Sequence, residues 1–424
     1  MCRPSDATSC GRNVNARSIN IEVESRPLTD AAPRLARIAG VLGLVGVVGA
    51  ALFGFLAGWD VFFRSYLLNY AYVLSLALGG LFFVLLQHVV RAGWSVSIRR
   101  VAELVAAALP PLTLLFLPLL IPVVAGMPGV YEWTDRELVQ ADPLLKSKSA
   151  YLNVPFFIIR CAAYFGIWSL LAWFCLWQST EQDETGAAKH TQRLERLSAP
   201  GLLLLAVTIT FFAIDALMSL NPHWYSTIWG VYYFSGSVVG FLALFVLLLA
   251  FLQRAGRLTH AVTSEHYHDL GKLAFGFVVF WAYIAFSQYL LIWYANIPEE
   301  IVWYRPRQGD TWWIAISLLL LFGHFVAPLL ALMSRGAKRR SGFLVAAAVW
   351  LLAMHWLDLY YVVAPRPWQS GHASSGGPLH ATDLLLLLGL GGLFVAIVVW
   401  PMGRRALLAK RDPRLPEALA HENV

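Results

Sequence analysis

Ten stretches of this chain, at 38–58, 67–90, 101–125, 154–177, 201–220, 227–252, 270–294, 312–333, 343–363 and 384–400, are apolar over about the 20 residues that a helix needs to cross a bilayer. A backbone in hydrocarbon must satisfy its own hydrogen bonds. Barrel strands would be about half as long and would alternate apolar with polar residues, so each stretch reads as a helix. Composition agrees: hydrophobic residues make up 58% of the 424 and charged residues 13%, against roughly 25% charged in soluble chains. The expected fold is an all-α polytopic membrane protein of about ten transmembrane helices. Spans 5 and 6 are so close in sequence that they must form a tight antiparallel hairpin, and the tenth span is the shortest.

Lys and Arg set the orientation. Of the 32, 23 lie in the termini and the loops after spans 2, 4, 6 and 8, and 7 in the loops after the odd-numbered spans. Positive charge is retained on the cytoplasmic side, so both termini are expected there. The formal charge of +7 is largely this topology signal. The basic residues are spread over many loops and form no single aromatic-interleaved patch, so no nucleic-acid partner is expected. Residues 1–33 are polar, mixed in charge and aperiodic, which predicts a disordered cytoplasmic tail. The remainder divides into a ten-helix domain over 34–403 and a second cytoplasmic tail over 404–424. Span 1 is too long, and starts too far from Met1, for the apolar core of a secretory signal, and reads as an anchor. Its Gly46, Ala50, Gly54 and Gly58 recur every four residues, a small-residue stripe suited to close helix packing.

The cysteines add little. Cys2 and Cys10 lie in the N-terminal tail; Cys161 and Cys175 share one helix about 21 Å apart, too far for a disulfide. No CxxC or CxxCH pattern, Walker motif or GxSxG elbow occurs. Iron–sulfur ligation, c-type haem attachment and zinc fingers are therefore poorly supported, and no metal site is expected. A histidine pair holding b-type haem is disfavoured as well. His88, His223, His324 and His355 lie on different elements, and His324 falls about 18 Å from the outer face against about 12 Å for His355.

Polar groups inside spans are costly in hydrocarbon and point to function. The stretch 215–234, DALMSLNPHWYSTIWGVYYF, joins two apolar segments through a turn too polar for lipid and too aromatic for a linker. It reads as one wall of a site at the membrane surface. Asp215 in span 5, His355 and Asp358 on one face of span 9, and Arg160 in span 4 all fall about 8 to 13 Å below the outer surface. Ser287 and Gln288 in span 7 lie at about 10 Å. The expectation is one layer in which Asp215, His355, Asp358 and Arg160 transfer protons or touch a quinol, with His223, Gln288 and Ser287 as further quinol contacts. The alternative for the acids and arginine is a structural ion pair.

A thinner series toward the cytoplasm holds Gln87, His88, Glu103, Asp269 and Lys272, with His324 nearer the middle. It suggests the inner half of a proton path. For Gln87, His88, Glu103 and Lys272 the preferred reading is that they cap helix ends and snorkel to the headgroups. Outside, Glu299 and Glu300 stand beside Trp303 and Tyr304, which suggests a docking surface or the mouth of a proton exit. A faint internal echo links Asp215, Pro222 and Trp224 with Asp358, Pro365 and Trp368. It would make spans 5 and 9 matching fourth helices of two repeated bundles, 67–220 and 227–363.

At these residues the chain resembles a known family. YLNVPFFIIR (151–160), DALMSLNPHWYSTIWGVYYFSGS (215–237), HDLGKLAFGFVVFWAYIAFSQYLLIWYANIPEE (268–300), GHFVAPLLALMSR (323–335) and MHWLDLYYVV (354–363) look like the ActF family of bacterial alternative complex III. That family is also called quinol:cytochrome c oxidoreductase quinone-binding subunit 2, and is a relative of the NrfD/PsrC membrane proteins. The resemblance covers most of residues 60–365 and not the tails. It implies two four-helix bundles, spans 2–5 and 6–9, with flanking helices, in a bacterial inner membrane. It also implies a multi-subunit respiratory complex that takes electrons from menaquinol or ubiquinol to a periplasmic acceptor. The haem c and iron–sulfur cofactors would sit in partner chains, and an ActC-like sister is the better candidate for the quinol site.

Oxidising a quinol releases two protons, so such a site needs acceptors, which a histidine or a buried carboxylate supplies. Asp215, His355 and Asp358 would accept, Arg160 would hold a carboxylate ionised, and Glu299 and Glu300 would pass protons outward. Two other classes fit the same residues: a redox-inert scaffold of the complex, and an independent secondary transporter.

Overall fold

The computed structural model describes residues 20–127, 129–365 and 379–422. Every regular element in these residues is helical. Ten helices are long and apolar enough to span a bilayer. In chain order they are α1 (Ala31–Ala57), α2 (Trp59–Val89), α3 (Val96–Ala125), α4 (Val154–Thr185), α5 (Lys189–Leu220), α6 (Trp229–Arg254), α7 (Ser264–Ala295), α8 (Thr311–Met333), α9 (Ser341–Val363) and α10 (Ala381–Met402). The protein is an all-α polytopic membrane protein. An even number of antiparallel passes puts both described ends on one face, here the terminal face; the other is the loop face.

Several helices outrun their apolar cores. The charged stretch after span 4 is helical almost throughout: α4 runs on to Thr185, Gly186 closes it at φ 66°, and α5 begins at Lys189. A glycine takes this left-handed cap without a Cβ clash. At the loop face, α1 and α2 are separated by Gly58 alone, at φ 118°. Gly58 is thus a corner rather than part of the packing stripe. The rest of the stripe does pack: a Cβ on Gly46 would stand 2.7 Å from both Leu385 O and Gly389 N of α10, and one on Gly54 2.6 Å from Phe62 Cβ of α2. Such backbone approach is what small residues permit between helices in lipid.

The helices close into two rings of four. In the first, α2 packs on α3 and α5, and α4 on α3 and α5; in the second, α6 packs on α7 and α9, and α8 on α7 and α9. The inner helices α2 and α6 form the seam between bundles, and the α1–α10 pair flanks α2.

The tail assigned to 1–33 is ordered from Asn20 onward, a correction to the expected disorder. The Glu24 carboxylate is buried and accepts from Thr259 Oγ1 at 2.9 Å, His260 N at 3.1 Å and Ala261 N at 3.3 Å. Three donors from one loop satisfy the charge and anchor the segment. Residues 1–19, with Cys2 and Cys10, lie outside the described residues. The C-terminal segment also docks on the terminal face, through Asp412 on Arg99 at 2.5 Å, Arg414 on Glu195 at 2.6 Å and His421 on Asp269 at 2.6 Å.

Candidate functional site

The loop-face end of α5 leaves regular helix. Ala213–Leu217 form a π turn and Met218–Leu220 a 3-10 turn before Asn221-Pro222 ends the element. A π turn shifts the backbone register and frees carbonyls. Here outside donors take them: Tyr131 Oη donates to Ala216 O at 2.9 Å and Ser219 Oγ to Asp215 O at 2.5 Å. Asp215 faces the bundle interior, fully buried. Arg160 donates to it from Nε at 2.7 Å and Nη2 at 3.1 Å, and Tyr164 Oη donates at 2.8 Å. Arg160 is itself fixed by Tyr151 O at 3.0 Å and lies over the Tyr151 and Phe156 rings at 3.9 and 4.3 Å. A bidentate fork on a carboxylate, with the aromatic faces shielding the cation, is a rigid ion pair.

A different centre sits in the second bundle. Asp358 of α9 accepts a short hydrogen bond from Tyr232 Oη of α6 and one at 3.1 Å from Trp281 Nε1 of α7. Both donors are neutral, and no cation pairs with this carboxyl among the described residues, so protonating it breaks no ion pair. One turn back, His355 Nε2 lies 2.8 Å from Ser75 Oγ of α2, and Ser75 donates its only proton to Tyr72 O at 2.7 Å. With the Ser75 proton on Tyr72 O, Ser75 accepts from Nε2–H and Nδ1 is the acceptor nitrogen of the ring. Nδ1 has no hydrogen-bond partner among the described residues. The point where a Cβ on Gly236 would stand is 3.2 Å from Nδ1 and 3.6 Å from Asp358 Oδ2. The glycine thus leaves open the space between acid and base, in a small cavity lined by Leu217, Gly236, His355, Asp358 and Val362. Its volume holds about one water.

His324 is the third buried group here. It lies in the π turn Leu320–Val326 of α8, against the Trp281 ring at 4.0 Å between centroids. Neither ring nitrogen has a hydrogen-bond partner among the described residues. As at Asp215, an aromatic donor takes a carbonyl of the turn: Trp350 Nε1 donates to Gly323 O at 2.7 Å.

The expected single layer is therefore two centres. Arg160 meets Asp215, and His355 meets Asp358, but no hydrogen bond or ion pair joins the two sets among the described residues. Each acid answers to helices of its own bundle. Asp215 lies on α5 and Asp358 on α9, and their partners differ; Trp368, part of the expected echo, lies outside the described residues.

The other loop-face candidates lie apart from both centres. His223 sits in an exposed loop, Nε2 at 2.6 Å from Asp142 Oδ2. Gln288 accepts from Ser226 Oγ at 2.8 Å and donates to Tyr304 Oη at 3.3 Å, tying α7 to two loops. Ser287 is half-buried beside it and bonds to neither centre. Glu299 is exposed and Glu300 half-buried; the carbonyl of Glu300 accepts from Trp224 Nε1 at 2.9 Å.

At the terminal face the snorkelling expectation is corrected for three of four residues. Glu103 is buried, 3.0 Å from Arg100 and 3.5 Å from Arg99. Arg100 also reaches Asp183 at 2.8 Å. Asp183 of the α4 extension and Asp412 of the docked C-terminal segment close over this cluster, and Glu103, Arg99 and Arg100 are all buried. Gln87 and His88 are buried too. Lys272 differs from the other three: its side chain is 48% exposed and bridges to Asp269 at 2.5 Å.

Two contacts tie the loop before α4 to the turn after α5. Lys148 Nζ donates to Pro222 O at 2.5 Å, and burial pushes its pKa down. The His223 hydrogen bond, helped by the Leu144 and Leu145 amides, holds Asp142 below the usual carboxylate range. A lowered carboxyl pKa stabilises the folded loop above the ordinary value of 3.8, and that stabilisation is lost as pH falls through the lowered value. Limited proteolysis is expected to cut the 129–153 loop faster as pH drops into that window, and His223→Ala, which leaves only the Leu144 and Leu145 amides on Asp142, is expected to weaken this dependence. An unchanged profile in the variant would remove the pair from the account.

Sequence reasoning missed Tyr164, Tyr232, Trp281 and Ser75, which partner the candidate groups, and Arg307. That arginine is buried and donates to Tyr361 O at 2.9 Å, Trp303 O at 2.6 Å and Val362 O at 2.9 Å. A cation on carbonyls at a helix C-terminus is favourable. Burial pushes Arg307 down to about 10, so it stays charged at neutral pH. No cluster of three or more metal-ligating side chains occurs among the described residues. No protein-family model matches the chain, and no curated protein does.

Proposed function

We propose that this chain is an ActF-like integral subunit of a bacterial respiratory quinol:electron-acceptor oxidoreductase of the alternative complex III type. In this reading it lies in the inner membrane with both termini cytoplasmic. It assembles with an ActC-like sister and with haem c and iron–sulfur subunits, and contributes a proton-transfer path on the periplasmic side. The observation that carries the proton role is the Asp358–His355 pair. A buried carboxyl held only by neutral donors stands across one water's space from a bare imidazole nitrogen. A water seated there would pass a proton between Asp358 and His355 Nδ1, while the hydrogen bond to Ser75 holds the imidazole in place. The cavity is too small for a quinol ring, which favours proton transfer over direct quinol contact at this centre.

The Arg160–Asp215 pair favours a scaffold role for its own bundle, because its geometry fixes the charge. Gentle detergent extraction of a tagged chain followed by mass spectrometry tests the assembly. Haem and iron–sulfur chains are expected to co-purify with it; a lone oligomer with substrate-dependent flux would replace this reading with a transporter.

A further inference from the structure

We propose that Leu217 and Val362 form a gate between the Asp358 cavity and the loop face, and that the Arg160–Asp215 pair of the other bundle holds it shut. This deepens the proton-transfer reading and rests on it for its purpose, though not for its test. Two cavities meet at these residues. The inner one contains Asp358 and His355; the outer one is lined by Asn221, Trp303 and Arg307, at the level of the loops. Leu217 and Val362 are the two residues common to both linings. They are 3% and 5% exposed, so the neck between the cavities is closed by two apolar side chains.

The two jaws are held differently. Val362 is pinned at its carbonyl by Arg307, which also grips Tyr361 O, so the end of α9 is fixed. Leu217 is the last residue of the π turn, two positions after Asp215. That turn is maintained from outside itself, by Arg160 and Tyr164 on the Asp215 carboxylate and by Tyr131 on Ala216 O. A π turn differs from α-helix by one residue of register, and relaxing it rotates the adjoining end of the helix by about 100°. Releasing the carboxylate would therefore swing Leu217 out of the neck while Val362 stays in place. An event at one centre would admit water to the other, a coupling through a two-state element.

Thiol accessibility in the full chain, held in lipid nanodiscs, tests this without using quinol turnover. Leu359 lines the inner cavity and is 2% exposed. Leu359→Cys is expected to react slowly with a small charged methanethiosulfonate. Adding Leu217→Ala is expected to raise the rate about tenfold as the open state becomes populated. Asp215→Asn is expected to do the same, as is Tyr131→Phe, which loosens the turn without touching the ion pair. The buried thiol of Cys175, on α4 and away from the π turn, reports unfolding and should stay unreactive. Equal labelling rates of the Leu359→Cys thiol with and without Leu217→Ala overturn the gate, as does a rise matched by Cys175. Acceleration by Leu217→Ala alone, with neither turn-loosening variant changing the rate, overturns the coupling. Either failure leaves the proton-transfer reading to be judged separately, on Asp358.

Discussion

Replacing Arg160 with methionine is expected to destabilise the chain by about 3–5 kcal/mol, because the Asp215 carboxylate is left buried without its cation. The Tyr164 hydrogen bond remains, but a single neutral donor does not offset the desolvation of a full charge. The double variant Arg160→Met with Asp215→Leu is expected to recover most of the loss, since an apolar pair of similar volume carries no uncompensated charge. Thermal unfolding of the detergent-solubilised protein measures each arm, and the double-mutant cycle gives the coupling energy. The cycle also separates a strut from a proton carrier. A carboxyl that readily takes up a proton would neutralise itself once Arg160 is gone, and the single variant would then be nearly as stable as the double. A small single-variant loss would thus remove Arg160–Asp215 from the structural role and return Asp215 to the proton path.

Much of the fold was legible because hydrocarbon imposes a length on every helix, and each of the ten stretches contains that length whatever its neighbours do. The ends were less legible. The α4–α5 connection is charged, and charge reads as loop, yet these residues are helical and half-covered by the docked C-terminal segment. The Glu103 cluster was misread for the same reason: from sequence an acid near a helix end looks like a headgroup cap, and its burial depends on Arg100, Asp183 and Asp412, far apart in the chain. Depth along a helix is set by residue number, which is why the acids were placed at one level. Rotation about the helix axis is not, because it depends on packing. Asp215 and Asp358 face different bundles, and the π turn that sets the direction of Asp215 has no sequence signature beyond the Asn221-Pro222 stop. Partners such as Tyr232 and Trp281 were hidden among aromatics that read as an interfacial belt.

Asp358→Asn is expected to lower proton release coupled to quinol oxidation in the assembled complex by about 10²–10⁴-fold, the range in which a positioned acid–base group contributes. Asparagine keeps the size of the side chain and an oxygen for Tyr232, but it cannot exchange a proton and turns a donor toward Trp281 or the cavity. Loss of assembly would mimic this result, so the retained haem and iron–sulfur content of the purified complex is part of the measurement. Gly236→Ala supplies the decisive arm. The acid and the imidazole both remain, but the new methyl would stand 3.1 Å from His355 Cε1 and fill the space between Nδ1 and Oδ2. A proton path through that space predicts that Gly236→Ala reproduces most of the Asp358→Asn defect while the thermal midpoint stays close to wild type. If quinol turnover and proton release are unchanged in both Asp358→Asn and Asp215→Asn, the buried acids are structural and the chain is a scaffold. If Asp358→Asn is defective and Gly236→Ala is not, Asp358 acts without the histidine, and the route must instead leave along Tyr232, whose hydroxyl touches the carboxyl and can both give and take a proton.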